Sequence, residues 1–64
     1  MKDLIIYYEI KIYVFNKIIK ELGNLIEYMY NNGDKLTIKQ RIKELEELKE
    51  SYKNDLTIIK KLGD

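Results

Sequence analysis

Apolar residues recur along the first half of the chain at alternating spacings of three and four positions. The repeat runs unbroken through four heptads, and its members are Ile5, Tyr8, Ile12, Phe15, Ile19, Leu22, Ile26 and Met29. This spacing places all of these side chains along one side of an α-helix. The pattern therefore predicts a first helix over about residues 4–31.

The polar segment at residues 31–34, Asn-Asn-Gly-Asp, is the strongest break in the chain. Gly33 suits the left-handed residue that often ends a helix. Thr37 is followed three residues later by Gln40, which is the pattern of a capping box that opens a helix. We therefore expect a turn at residues 31–34 and a new helix from about Thr37.

The second helix is predicted over about residues 37–62, where neither Gly nor Pro interrupts the chain. Its apolar seam consists of Ile38, Ile42, Leu45, Tyr52, Leu56 and Ile59, with Lys49 at the one seam position that is not apolar. A short turn between two helices of similar length makes them antiparallel. The expected fold is all-α: a single helical-hairpin domain over residues 1–64.

The first helix carries more apolar surface than one neighbouring helix can cover. The excess lies outside the seam, at Ile6, Tyr7, Ile10, Tyr13 and Val14. A chain of 64 residues has a marginal core, and this chain has neither Cys nor His to reinforce it with disulfides or the common zinc ligands. We therefore expect association, with two hairpins forming a homodimeric four-helix bundle.

Residues 4–15 also suit a β-strand, because they are rich in β-branched and aromatic side chains. The alternative fold is an N-terminal strand over residues 4–15 followed by two helices. Asn32-Gly33 is in addition a strong β-hairpin turn signal. The heptad continues in phase through residues 4–15, and this continuity favours the helix.

Catalytic chemistry has few candidate groups in this sequence. There is no His to act as a base near neutral pH and no Cys nucleophile. A glutamate cluster could hold a hard cation, but its spacing from nearby lysines favours ordinary ion pairs on a solvated helix face; its members are Glu44, Glu46, Glu47 and Glu50. We therefore expect no enzyme activity, no cofactor and no metal site.

The function that this composition favours is protein–protein interaction. Exposed aromatic residues are enriched at binding surfaces, and the expected partner-binding residues are the off-seam group Ile6, Tyr7, Ile10, Tyr13 and Val14. We expect an accessory regulator or inhibitor that binds a larger protein. The abundance of Ile, Lys, Asn and Tyr is typical of an AT-rich genome, and a small phage or plasmid protein is our hypothesis for its origin.

Nucleic-acid binding is the second hypothesis. Four cations lie near the start of the predicted second helix, at Lys35, Lys39, Arg41 and Lys43. Positive charge there opposes the helix dipole, and contact with phosphate would explain it. A net charge of +1 provides no general attraction to nucleic acid.

In length and layout the chain resembles the Rop family, small plasmid-encoded helical hairpins that dimerise and bind paired RNA loops. The resemblance covers the whole chain but includes no shared motif, so it assigns no functional residue. Residues 25–62 also resemble a helix-turn-helix, which implies DNA binding through residues 51–62. The expected small residue in the turn is missing from residues 45–51. A third hypothesis is a structural subunit of an assembly.

The apolar stretch at residues 4–19 is too short to span a bilayer and is interrupted by Glu9, Lys11 and Lys17. No membrane association is expected. The predicted location is the cytoplasm.

Overall fold

Two helices account for nearly all of the structure, a computed structural model that describes residues 2–63. Helix α1 is Lys2–Ile26, and helix α2 is Asn32–Gly63. They pack against each other along their length to give a rod with extents of 50 × 14 × 10 Å. The connection of five residues, 27–31, is short enough to force an antiparallel pair. The prediction of an all-α helical hairpin is confirmed.

The two β alternatives are wrong. Residues 4–15 lie within α1, and Asn32-Gly33 begins α2. The physical reason is the uninterrupted heptad, because a helix through residues 4–15 continues the same apolar row against α2. A strand would turn that row to alternate faces.

The predicted seams form the contact between the helices. All eight seam residues of the first repeat are half-buried, as are the six apolar seam residues of α2 and Lys49. Their neighbours on the outward sides of both helices are exposed. No side chain within residues 2–63 is fully buried, so two helices alone leave this core open to solvent.

An aromatic cluster fixes how the helices sit against each other. The Tyr52 ring of α2 packs between two rings of α1, at centroid distances of 5.2 Å to Tyr8 and 5.3 Å to Phe15. Both contacts are tilted, a favourable arrangement for aromatic pairs. Because Tyr8 and Phe15 lie two turns apart on α1, Tyr52 sets the alignment of the two helices.

The first helix ends at Ile26, five residues before its predicted end. The N–H groups of Glu27, Tyr28 and Met29 donate to carbonyls three residues back, at 3.0 to 3.2 Å. Such tight turns satisfy carbonyls that an ending helix leaves free. The chain therefore leaves α1 through a tightened last turn.

The second helix begins at Asn32, five residues before its predicted start. Asn31 is its cap: the N–H groups of Gly33 and Asp34 donate to the Asn31 Oδ1 at 2.7 and 3.2 Å. Gly33 is thus part of the first turn of α2, and its φ is not positive. Thr37 is not a cap either, since its hydroxyl donates to the Gly33 carbonyl inside the helix.

The helix-turn-helix resemblance is not supported by the fold. Helix α2 runs without interruption from Asn32 to Gly63 and passes straight through residues 45–51, where the motif requires a turn. The cationic residues Lys60 and Lys61 lie in its last turn. There they complement the negative end of the helix dipole.

Candidate protein-binding surface

The side of α1 that faces away from α2 carries an exposed row of apolar side chains. Ile6, Ile10 and Tyr13 are 48%, 56% and 65% exposed. Their spacing of four and three positions aligns them along the helix, opposite the half-buried seam. We call these three residues the outer ridge.

The other two predicted partner-binding residues, Tyr7 and Val14, belong to a different row. With other exposed apolar residues of α1 they form a row whose successive spacings are three, seven, four and seven. This row, which we call the lateral stripe, consists of Leu4, Tyr7, Val14, Ile18 and Leu25. It lies between the seam and the outer ridge, so the structure divides the five predicted residues between two surfaces.

Sequence reasoning missed the lateral stripe as a separate surface. Leu4, Ile18 and Leu25 each precede a seam residue by one position, and all three are exposed beside the seam. The sequence signal that could have revealed the lateral stripe is a second heptad repeat in α1, which runs alongside the seam. Lys11 and Glu21 interrupt it, and these two charges conceal the repeat.

Lys11 lies on the lateral stripe with its ammonium over an aromatic ring. Its Nζ is 5.6 Å from the centroid of the Tyr7 ring, and the side chain is half-buried. Tyr7 in turn meets Tyr8 edge-on, with centroids 5.8 Å apart and planes at 87°. The Tyr7 ring therefore connects the lateral stripe to the aromatic cluster between the helices.

The outer ridge changes character toward the middle of α1. Lys17 and Lys20 continue the helical row of Ile10 and Tyr13, and both are exposed. A shallow groove begins there, lined by Tyr13, Asn16, Lys17, Lys20, Glu21 and Asn24. The surface is thus apolar at the start of α1 and mainly cationic further along.

The structure only partly brings together the four candidate nucleic-acid-binding residues. Lys35, Lys39 and Lys43 share one side of α2, because they are spaced four positions apart. Arg41 points elsewhere, and its Nη1 lies 3.3 Å from the Glu44 Oε2. A continuous four-cation patch does not form.

The electrostatic reason for expecting phosphate there is also weaker than the sequence suggested. Helix α2 starts at Asn32, so Lys35 lies in its first turn, whereas Lys39, Arg41 and Lys43 lie beyond it. The helix dipole acts mainly within that turn, where Asp34 supplies a favourable negative charge. The three cations beyond the first turn therefore do not oppose the helix dipole, and Asp34 offsets Lys35 within it.

The structure also bears on a metal site and on a membrane span. Within residues 2–63, no three acidic side chains converge closely enough to hold a metal ion, so the glutamates of α2 stay spread along the helix. Over the same residues, neither helix combines the length and apolar character needed to cross a membrane.

Comparison with protein-family models, with curated proteins and with solved structures finds no match for this chain.

Proposed function

We propose that this chain is a small, non-catalytic interaction module that binds a larger protein and acts as an accessory regulator or inhibitor. The observation that carries the proposal is the outer ridge of Ile6, Ile10 and Tyr13, exposed on the side of α1 away from α2. Helices that insert into grooves of partner proteins use anchors at this i, i+4, i+7 spacing. The cytoplasm is the proposed location.

The three side chains of the outer ridge provide too little free energy for firm binding on their own. They are about half exposed already, so burying the remainder contributes roughly 1 kcal/mol each. That total is small against the cost of association. Lys17 and Lys20, which continue the same row and are exposed, extend the contact area along the helix.

The charges define the partner's chemistry. An apolar groove would receive Ile6, Ile10 and Tyr13, and an acidic edge at one end of that groove would meet Lys17 and Lys20. Charge pairs at the rim of an interface mainly raise the association rate and fix the orientation. We therefore propose a partner with an apolar groove that is acidic at one end.

The experiment is a tagged pull-down from native cells, with the lysate split into nuclease-treated and untreated halves. Mass spectrometry identifies captured proteins, and the ratio of absorbance at 260 and 280 nm detects nucleic acid. The proposal predicts one protein captured in near-equal amount from both halves. Nucleic acid captured only from the untreated half would contradict it and favour Lys35, Lys39 and Lys43 as the binding residues.

The structural-subunit hypothesis predicts a different result, which size-exclusion chromatography of the chain detects. A subunit of an assembly would elute from a sizing column as large, defined particles composed of this chain alone. That result would also contradict the proposal.

A further inference from the structure

Two opposite charges, Lys11 and Glu21, interrupt the apolar residues of the lateral stripe. Read with the two charges that interrupt it, its sequence along α1 is Leu4, Tyr7, Lys11, Val14, Ile18, Glu21 and Leu25. The midpoint between the cation Lys11 and the anion Glu21 falls at the level of residue 16. We propose that a second copy of this chain covers the stripe, with the two α1 helices packed antiparallel about a two-fold axis at that level.

The residue pairing supports this arrangement. Antiparallel packing about residue 16 places Lys11 opposite Glu21 of the partner subunit and Val14 opposite Ile18 of the partner subunit. A two-fold interface repeats each pair, because the same surface is used by both copies. Each charge that breaks the apolar stripe is thereby paired with an opposite charge, and Tyr7, Val14 and Ile18 face apolar residues of the second copy.

Other alignments lose this match. Sliding one helix by a heptad in one direction sets Lys11 opposite Val14 and Glu21 opposite Leu4. Sliding it in the other direction sets Glu21 opposite Ile18. A parallel pair would put Lys11 against its own copy, and like charges at an interface are unfavourable. The charges therefore select one register and one direction.

The exposed area matches what a dimer requires. The chain exposes 5221 Å², whereas a compact monomer of its mass, 7.7 kDa, exposes about 4,300 Å². The excess is roughly 900 Å², close to the ~800 Å² that each partner buries in a standard protein interface. No side chain of residues 2–63 is fully buried in the single hairpin, and a second copy would complete the core.

This contact leaves the outer ridge free. Ile6, Ile10 and Tyr13 lie on a different side of α1 from the lateral stripe, so a dimer would present two ridges to larger proteins. The dimer rests on Lys11 and Glu21 and not on the proposed partner-binding role. Failure of one proposal would therefore leave the other standing.

Charge reversal tests the register. Lys11→Glu and Glu21→Lys, each alone, should weaken the dimer roughly 100-fold, because both symmetry-related pairs become repulsive. An equimolar mixture of the two variants should form a heterodimer, since every Glu in one chain then faces a Lys in the other. Sedimentation equilibrium at low salt measures the dissociation constants, and the helical circular dichroism signal reports folding.

Lys53→Glu is the control, because this cation is exposed on α2, outside the stripe and the outer ridge. It should leave the dissociation constant of the dimer unchanged. A wild-type chain that stays at 7.7 kDa throughout the micromolar range would overturn the proposal. So would single reversals that dimerise as well as wild type, or two folded variants that fail to associate when mixed.

Discussion

The ring of Tyr52 lies against the ring of Tyr8, with centroids 5.2 Å apart and planes inclined by 53°. This contact joins α2 to α1 in the half of the hairpin away from the turn, and Phe15 packs on the same tyrosine. Most other seam residues are aliphatic and only half-buried. The aromatic cluster therefore adds ring–ring contacts to an otherwise mainly aliphatic seam.

Replacing Tyr52 with Ala should lower the free energy of unfolding by about 2 kcal/mol. Loss of a fully buried aromatic side chain costs more, but Tyr52 is only half-buried. Urea unfolding followed by circular dichroism, at one fixed chain concentration, measures the change. Ser51→Ala is the control, because Ser51 is exposed beside it. Equal stability of the two variants would contradict the importance of the cluster.

Replacing Lys49 with Leu should raise the free energy of unfolding by about 1 kcal/mol. Lys49 is half-buried on the α2 seam, and a leucine there would add apolar contact without desolvating a charge. Thermal unfolding should shift upward in the same buffer and concentration. Lys53→Leu, an exposed change one turn further along, should have little effect. A less stable Lys49→Leu chain would show that the ammonium makes a contact the seam needs.

Replacing Asn31 with Ala should lower the free energy of unfolding by about 1 kcal/mol, because α2 loses its capping acceptor. The sign of the change in unfolding free energy distinguishes a capped start of α2 at Asn31 from an α1 that continues through residue 31. If α1 continued to residue 31, alanine would be the better helix former there and the change would stabilise the chain. Asn32→Ala, just inside α2, is the control, and the two variants are compared by chemical unfolding.

The seams were predictable residue by residue, since a heptad identifies the side of a helix that faces its neighbour. The helix ends were not, because residues 31–34 carry two competing signals. Gly33 suits the end of one helix, while Asn31 followed by Asp34 suits the start of another. The cap at Asn31 prevails, as it satisfies two N–H groups with one side chain.

The candidate binding residues were predictable as a group but not as surfaces. The heptad spacing indicates that Ile6 and Tyr7 both lie off the seam. Only the helix geometry separates the outer ridge from the lateral stripe. The four basic residues were predicted as one patch because they are close in sequence. In the structure Arg41 is turned away from Lys39 and pairs with Glu44.

The most direct test of the proposed function compares Tyr13→Glu with Tyr30→Glu in the pull-down. Both substitutions place a carboxylate at an exposed tyrosine, 65% and 98% exposed, but only Tyr13 belongs to the outer ridge. We predict that Tyr13→Glu loses the captured protein at least tenfold while its circular dichroism spectrum stays wild-type, and that Tyr30→Glu captures the protein normally. Undiminished capture by a folded Tyr13→Glu chain would contradict binding through the outer ridge.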